Sequence, residues 1–200
     1  MAQKFKIQKG KGFALAVIDM QRDFLPGGEL PVDGVKGEPT AEVLIQRINM
    51  LMTAPFDHVM LSRDVHPKDH IECLIIKPHC LLMSEGAELS KDLRLPEVWE
   101  PVTKGCESSL ISYSIAMGLD FAQHIRTLRA KQIKIMLVCG LAYNFCVGGS
   151  AVDYAIQGFE TYVIRDATRS VPPPYGPDPE EMDRKLEAFG VKLIKFEDLI

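Results

Sequence analysis

The chain has 200 residues, 46% of them hydrophobic and 25% charged, with a formal net charge of −4. That length fits one domain with enough apolar surface for a core, and the slightly acidic balance argues against nucleic acid or an anionic membrane as partner. No apolar run reaches the ~20 residues of a membrane span. The opening MAQKFKIQKGKG lacks the apolar core of a signal peptide, so a cytoplasmic location is expected. Five cysteines, an odd number without a CxxC pair, speak against both a disulfide framework and a zinc ribbon.

Residues 13–19 (FALAVID) form a nearly continuous apolar run, the pattern of a strand buried on both faces of a parallel sheet. Gly27 and Gly28 mark a loop. Residues 40–52 then carry Val43, Leu44, Ile48, Leu51 and Met52 at helical spacing, with Thr40 placed to cap. A second strand is expected at 58–61, followed by a polar stretch at 62–70, and a short edge strand at 101–103. Residues 135–139 (IMLVC) give a central strand closed by Gly140. A helix from about 146 to 157, ended by Gly158, a strand at 161–164, a proline-rich loop at 171–179, a helix at 180–189 and a last strand at 191–194 complete the series. Alternation of this kind predicts the α/β class. Residues 1–200 are expected to form a single domain, a Rossmann-like parallel sheet of about six strands with helices on both faces.

In such folds ligands bind beyond the carboxyl ends of the strands, near the point where strand order reverses. Asp19 ends the first strand, Asp64 and His66 follow the second, Lys104 follows the edge strand, and Cys146 opens the helix after the central strand. A carboxylate, an ammonium, a thiol and a metal-type pair therefore fall on one edge of the sheet. Cys146 in the first turn of a helix, with Lys104 nearby, is placed to be a thiolate. Asp19 could take its proton and later deliver it to a leaving amine, and N–H groups of the 140–146 turn could form an oxyanion hole. Against this stands the common fate of a lone cysteine, a small buried hydrophobe, which is the reading given to Cys139. Asp64 and His66 share one side of an extended segment, with His70 and His79 following. A carboxylate with two imidazoles suits zinc, iron or manganese. His58, in a strand, and His124, on a helix, read as structural.

Four stretches resemble one family, the nicotinamidases within the isochorismatase-like cysteine hydrolases. They are ALAVIDMQRDFLPGGEL (14–30), RDVHPKDH (63–70), KPHC with GAEL (77–80 and 86–89), and CGLAYNFCVGGSAVDYAIQGF (139–159). The resemblance implies a catalytic triad of Asp19, Lys104 and Cys146. It also implies a cis peptide between Leu141 and Ala142, with the N–H groups of Ala142 and Cys146 aimed at the oxyanion. Asp64, His66 and His79 would hold one divalent metal ion, zinc first with iron or manganese as alternatives, and His70 would be a weaker fourth ligand. Phe24, Leu30, Tyr113 and Phe145 would line the pocket. The implied reaction is hydrolysis of nicotinamide to nicotinate and ammonia through a Cys146 thioester, as in NAD salvage. The implied partner is a small-molecule amide, with self-association into a homo-oligomer compatible with the likeness.

The chain departs from the family pattern at three places: Ile76 stands where a tryptophan is usual, the 70–79 stretch is short, and Asn144 replaces a frequent aspartate. Rival readings are a related cysteine amidohydrolase acting on another small amide or ureido compound, a non-catalytic binding module, and a redox-sensing thiol protein.

Overall fold

The structure, a computed structural model, describes residues 6–199. Six strands form one sheet: β1 (Phe13–Ile18), β2 (His58–Asp64), β3 (Glu100–Lys104), β4 (Ile135–Leu141), β5 (Glu160–Arg169) and β6 (Lys192–Ile194). Their order is β3-β2-β1-β4-β5-β6 and every pairing is parallel, as the alternating pattern predicts. Strand order reverses between β1 and β4, so the segments leaving these two strands flank the crevice where such sheets bind ligands.

Both faces of the sheet are covered, which is why its central strands read as unbroken apolar runs. Leu15, Val17, Val59, Leu61 and Leu137 pack with Leu44, Ile48 and Leu51 of α1 (Ala41–Met52). Ala14, Ala16, Ile18, Met60, Met136 and Val138 face the other way. They meet α3 (Phe121–Ala130), α4 (Gly148–Ile156) and α5 (Pro179–Ala188) through Ile125, Leu128, Ala151, Tyr154 and Leu186. Each fully buried leucine or isoleucine here contributes roughly 1.5–3 kcal/mol. Thr40 does cap α1, its hydroxyl accepting from Val43 N at 3.4 Å, a contact of about 1 kcal/mol in typical cases.

Two local expectations are corrected, and one element stands where none was expected. Gly140 does not close β4: the strand continues to Leu141, and Gly140 takes φ +110° at a register shift against β5. A Cβ there would lie 2.2 Å from Ile18 O, so only glycine lets β4 approach β1 this closely. Cys146 does not open an α-helix; residues Tyr143–Val147 form a π turn that runs into α4. The stretch after β2 contains a short helix, α2 (Ile71–Ile75), capped by His70.

His58 opens β2 and His124 lies on α3, and both meet Glu100 at the start of β3, their donor atoms within 4.8 Å of one another. The Glu100 carboxylate lies 2.6 Å from His58 Nε2 and 2.9 Å from His124 Nδ1, and the remaining nitrogen of His124 bonds Tyr154 OH at 2.8 Å. Burial alone would raise the Glu100 carboxyl, but its bonds to His124 and His58 hold it at about 2. Among the described residues no helix is long and apolar enough to cross a membrane.

Candidate active site

Each strand that ends at the crevice contributes one chemical group. β1 delivers Asp19, which adopts φ +46°, a conformation uncommon for a residue with a side chain. It is held there by Ser62 on β2, whose hydroxyl accepts from Asp19 N at 3.1 Å and donates to Asp19 Oδ1 at 2.6 Å. β2 ends on Asp64. Its backbone is fixed by buried Gln21, which accepts from Asp64 N at 2.7 Å and donates to Asp64 O at 2.6 Å. β3 ends on Lys104, whose side chain is fully buried with Nζ 2.9 Å from Asp19 Oδ2 and 3.1 Å from Asp64 Oδ2. The turn after β4 brings Cys146, and its sulfur and one carboxylate oxygen each of Asp19 and Asp64 all lie within 4.8 Å of one another.

Electrostatics shift Lys104, Asp64 and Cys146 in definite directions. Burial disfavours charge on Lys104, but Asp19 and Asp64 overcome it and hold the ammonium well above its usual range. Burial likewise raises the Asp64 carboxyl, yet Lys104 and His66 outweigh it and keep Asp64 below the ordinary carboxylate range. For Cys146, burial pushes the thiol up; Lys104 pulls it down, but Asp19 and Asp64 add to the rise. Burial and the two carboxylates thus act against the helix-start and Lys104 argument for a thiolate.

A second cluster adjoins the first through Asp64. Donor atoms of Asp64, His66, Glu72 and His79 all lie within 4.8 Å of one another, and all four residues are buried. The ring of His66 bonds Gly105 O through Nδ1 at 3.2 Å, and that of His79 bonds Lys77 O through Nδ1 at 2.6 Å. A carbonyl only accepts, so each Nδ1 carries a proton, and in the neutral ring Nε2 then has the lone pair a metal ligand needs. Asp64 Oδ1, His66 Nε2 and Glu72 Oε2 are buried without a hydrogen-bond partner among the described residues. Buried polar atoms are rarely left so, and a donor set of two imidazoles and two carboxylates fits a cation.

The local fold is shaped around this cluster. Gly105, at φ +74°, has no room for a side chain: a Cβ would lie 2.2 Å from Asp64 Oδ1 and 2.9 Å from His66 Cε1. His66 N donates to Cys80 O at 2.9 Å and Leu82 N to His66 O at 2.8 Å, which sets His79 beside His66 despite the short intervening stretch. Asp23 accepts from Cys80 N at 2.6 Å and steadies the same segment.

Of the residues singled out in the sequence, Asp19, Lys104 and Cys146 come together, as do Asp64, His66 and His79. His70 lies outside the donor group. Its Nδ1 accepts from Glu72 N at 3.2 Å and its Nε2 faces Leu110 O at 3.1 Å, so both nitrogens are engaged as a helix cap. Glu72, one residue inside that cap, fills the fourth place. Phe24 stacks near His79 with ring centroids 5.6 Å apart, and Tyr113 meets Phe145 edge-on at 4.9 Å. Leu30 packs partly buried against the α1 side of the core, and Ile76 is half exposed at the end of α2.

The peptide Leu141–Ala142 is cis. In the following π turn Ala142 O accepts from Phe145 N at 3.0 Å and from Val147 N at 3.1 Å, skipping the N–H of Cys146 between them. Sequence reasoning missed Ser62, Gln21, Asp23 and Glu72. Gln21 and Asp23 stood inside the quoted motif at 14–30, and polar residues beside a buried strand were the available signal.

Residues 13–177 match the isochorismatase domain model. The chain belongs to the isochorismatase family. Within that family it is 30% identical to the nicotinamidase of Acinetobacter baylyi, over 84% of this chain and 86% of that one. Among solved structures, a pyrazinamidase of Pyrococcus horikoshii in complex with zinc superposes with TM-score 0.76 at 31% identity, covering 92% of this chain and 99% of that one. PnC1 from L. infantum in complex with nicotinate gives TM-score 0.82 at 29% identity, covering 98% and 99%.

Proposed function

We propose that this isochorismatase-family protein is a nicotinamidase, a cysteine amidohydrolase converting nicotinamide to nicotinate and ammonia. The observation that carries the reading is the shared carboxylate Asp64, which joins a thiol–carboxylate–ammonium group to a four-donor cation site. An amide attacked by Cys146 would thus have its ring side next to the cation. Relatives named as nicotinamidases and a neighbour holding nicotinate support that choice of substrate.

Asp64, His66, His79 and Glu72 would hold the ion, zinc in the first instance given the zinc-bound neighbour. When bound, it supplies a Lewis-acid contact for a pyridine nitrogen and so fixes the ring. Every other task falls to the chain. Phe24 beside His79, with Tyr113 and Phe145, forms aromatic wall for a planar ring.

Asp19 takes the Cys146 proton as sulfur bonds to the carboxamide carbon. The N–H groups of Ala142 and Cys146 receive the oxyanion. As the C–N bond breaks, Asp19 returns the proton to nitrogen and ammonia leaves, with a thioester on Cys146. Asp19 next takes a proton from water, the hydroxide adds to the thioester, the C–S bond breaks, and Asp19 returns its proton to sulfur, while the product acid gives up its carboxyl proton to solvent and departs as nicotinate. Lys104, 2.9 Å from Asp19, keeps a positive charge beside these transfers throughout.

Purified protein incubated with nicotinamide is expected to release ammonia, and chelator treatment to lower the rate by about 10²-fold or more, the scale of losing a contact that positions the reacting group. Re-adding zinc should restore it. Absence of ammonia from the zinc-loaded protein would contradict the substrate assignment.

A further inference from the structure

The nucleophile sits in a turn of only five residues, Tyr143–Val147, so something outside the turn must fix its position. Tyr143 is gripped on one side by the Arg165 guanidinium, 3.8 Å from its ring centroid, and by a hydrogen bond to Asp183. On the other side stands Asn144, which is 2% exposed. Its Nδ2 donates to Val171 O at 2.8 Å and to Pro177 O at 2.7 Å, and its Oδ1 accepts from Val171 N at 2.9 Å. Two carbonyls demand donors and one N–H demands an acceptor, so the orientation of the amide is unambiguous.

We propose that Asn144 is a positioning residue for Cys146, tying the nucleophile turn to both ends of the proline loop at 171–177. The proposal rests on the cysteine-hydrolase reading above, in which Cys146 must face the N–H groups that receive the oxyanion. The loop is built to be held this way. Tyr175 N and Gly176 N both bond Pro172 O, at 3.0 and 3.2 Å, folding the loop on itself. A Cβ on Gly176 would lie 2.7 Å from Val171 O and 3.1 Å from Asn144 Nδ2, so the glycine clears space for the amide.

The chemistry also explains why this position holds an amide. An ionised aspartate offers no donor and would set its charge against the Val171 and Pro177 carbonyls; a protonated one offers a single donor. Alanine removes all three bonds without adding charge. Charged groups near the site are Arg165 and Asp183 at Tyr143 and, on α5, Glu181 and Lys185, which line a cavity of about 420 Å³ together with Asn144, Phe145 and Tyr113.

The test uses zinc-loaded full-length protein with N144D and N144A, following nicotinamide turnover, thermal melting and the rate of Cys146 alkylation by iodoacetamide across pH. For N144D, kcat is expected to fall by about 10²-fold, the scale set by a displaced reacting group, with KM little changed. Its alkylation rate relative to wild type should recover as pH falls and the introduced carboxyl protonates. N144A should show a smaller loss with a pH-independent ratio. Lowered melting temperatures with wild-type kcat and wild-type alkylation in both variants would overturn the proposal, leaving Asn144 a purely structural residue. Alkylation needs no substrate, so failure of wild type to hydrolyse nicotinamide would sink the substrate assignment while this comparison still decides the role of Asn144.

Discussion

Cys146→Ala is expected to lower kcat for amide hydrolysis by about 10⁴-fold or more, the range seen when a covalent nucleophile is removed from a preorganised site. The sulfur is the one group placed to bond the carboxamide carbon, with an Asp19 carboxylate oxygen within 4.8 Å to receive its proton. Alanine occupies less volume than cysteine and leaves Asp64, His66, Glu72 and His79 untouched, so metal content should equal that of wild type. Melting temperature should change little, because the thiol is pushed away from its charged form and anchors no ion pair. Parallel measurement of ammonia release, bound metal and melting separates this outcome from loss of fold. Substantial turnover by the variant would mean that water attacks the amide directly.

Lys104→Met is expected to damage both fold and catalysis. The ammonium is fully buried and is shared by Asp19 and Asp64, which are themselves buried. Removing one partner of such a group leaves uncompensated charge in the interior and costs about 3–5 kcal/mol. For a chain of this length that is a fall of roughly 10 °C in melting temperature. The catalytic loss has its own cause: Asp19 loses the positive charge that steadies it while protons move, and about 10²–10⁴-fold in kcat is at stake for a proton-transfer group. Melting curves and single-turnover kinetics on the folded fraction measure the two effects apart. An unchanged melting temperature would show that the two carboxylates are compensated by something other than Lys104.

The sheet was legible because both its faces are covered, so strands such as FALAVI and IMLVC carry no polar interruption. The gathering of Asp19 and Lys104 at one sheet edge was legible for a related reason, whereas their role as a triad with Cys146 came from the family resemblance. A charged residue that ends or follows a strand emerges at the carboxyl edge, where Asp19 follows the apolar run of β1 and Lys104 ends the short edge strand β3. What sequence periodicity could not show was how the loops fold back. His70 and Glu72 are near neighbours, and only the capping geometry of α2 turns the first into a cap and the second toward His66. The state of Cys146 was also beyond reach. A helix-start position suggests a thiolate, but the balance between burial, one ammonium and two carboxylates depends on distances that no spacing rule supplies.

The most direct measurement is rapid quenching of the zinc-loaded enzyme with excess nicotinamide, followed by mass spectrometry of the peptide carrying Cys146. A nicotinoyl thioester on Cys146, forming and decaying within a single turnover, is the predicted result. Ammonia release with no acyl adduct on this residue, under conditions that preserve an authentic thioester standard, would contradict the account.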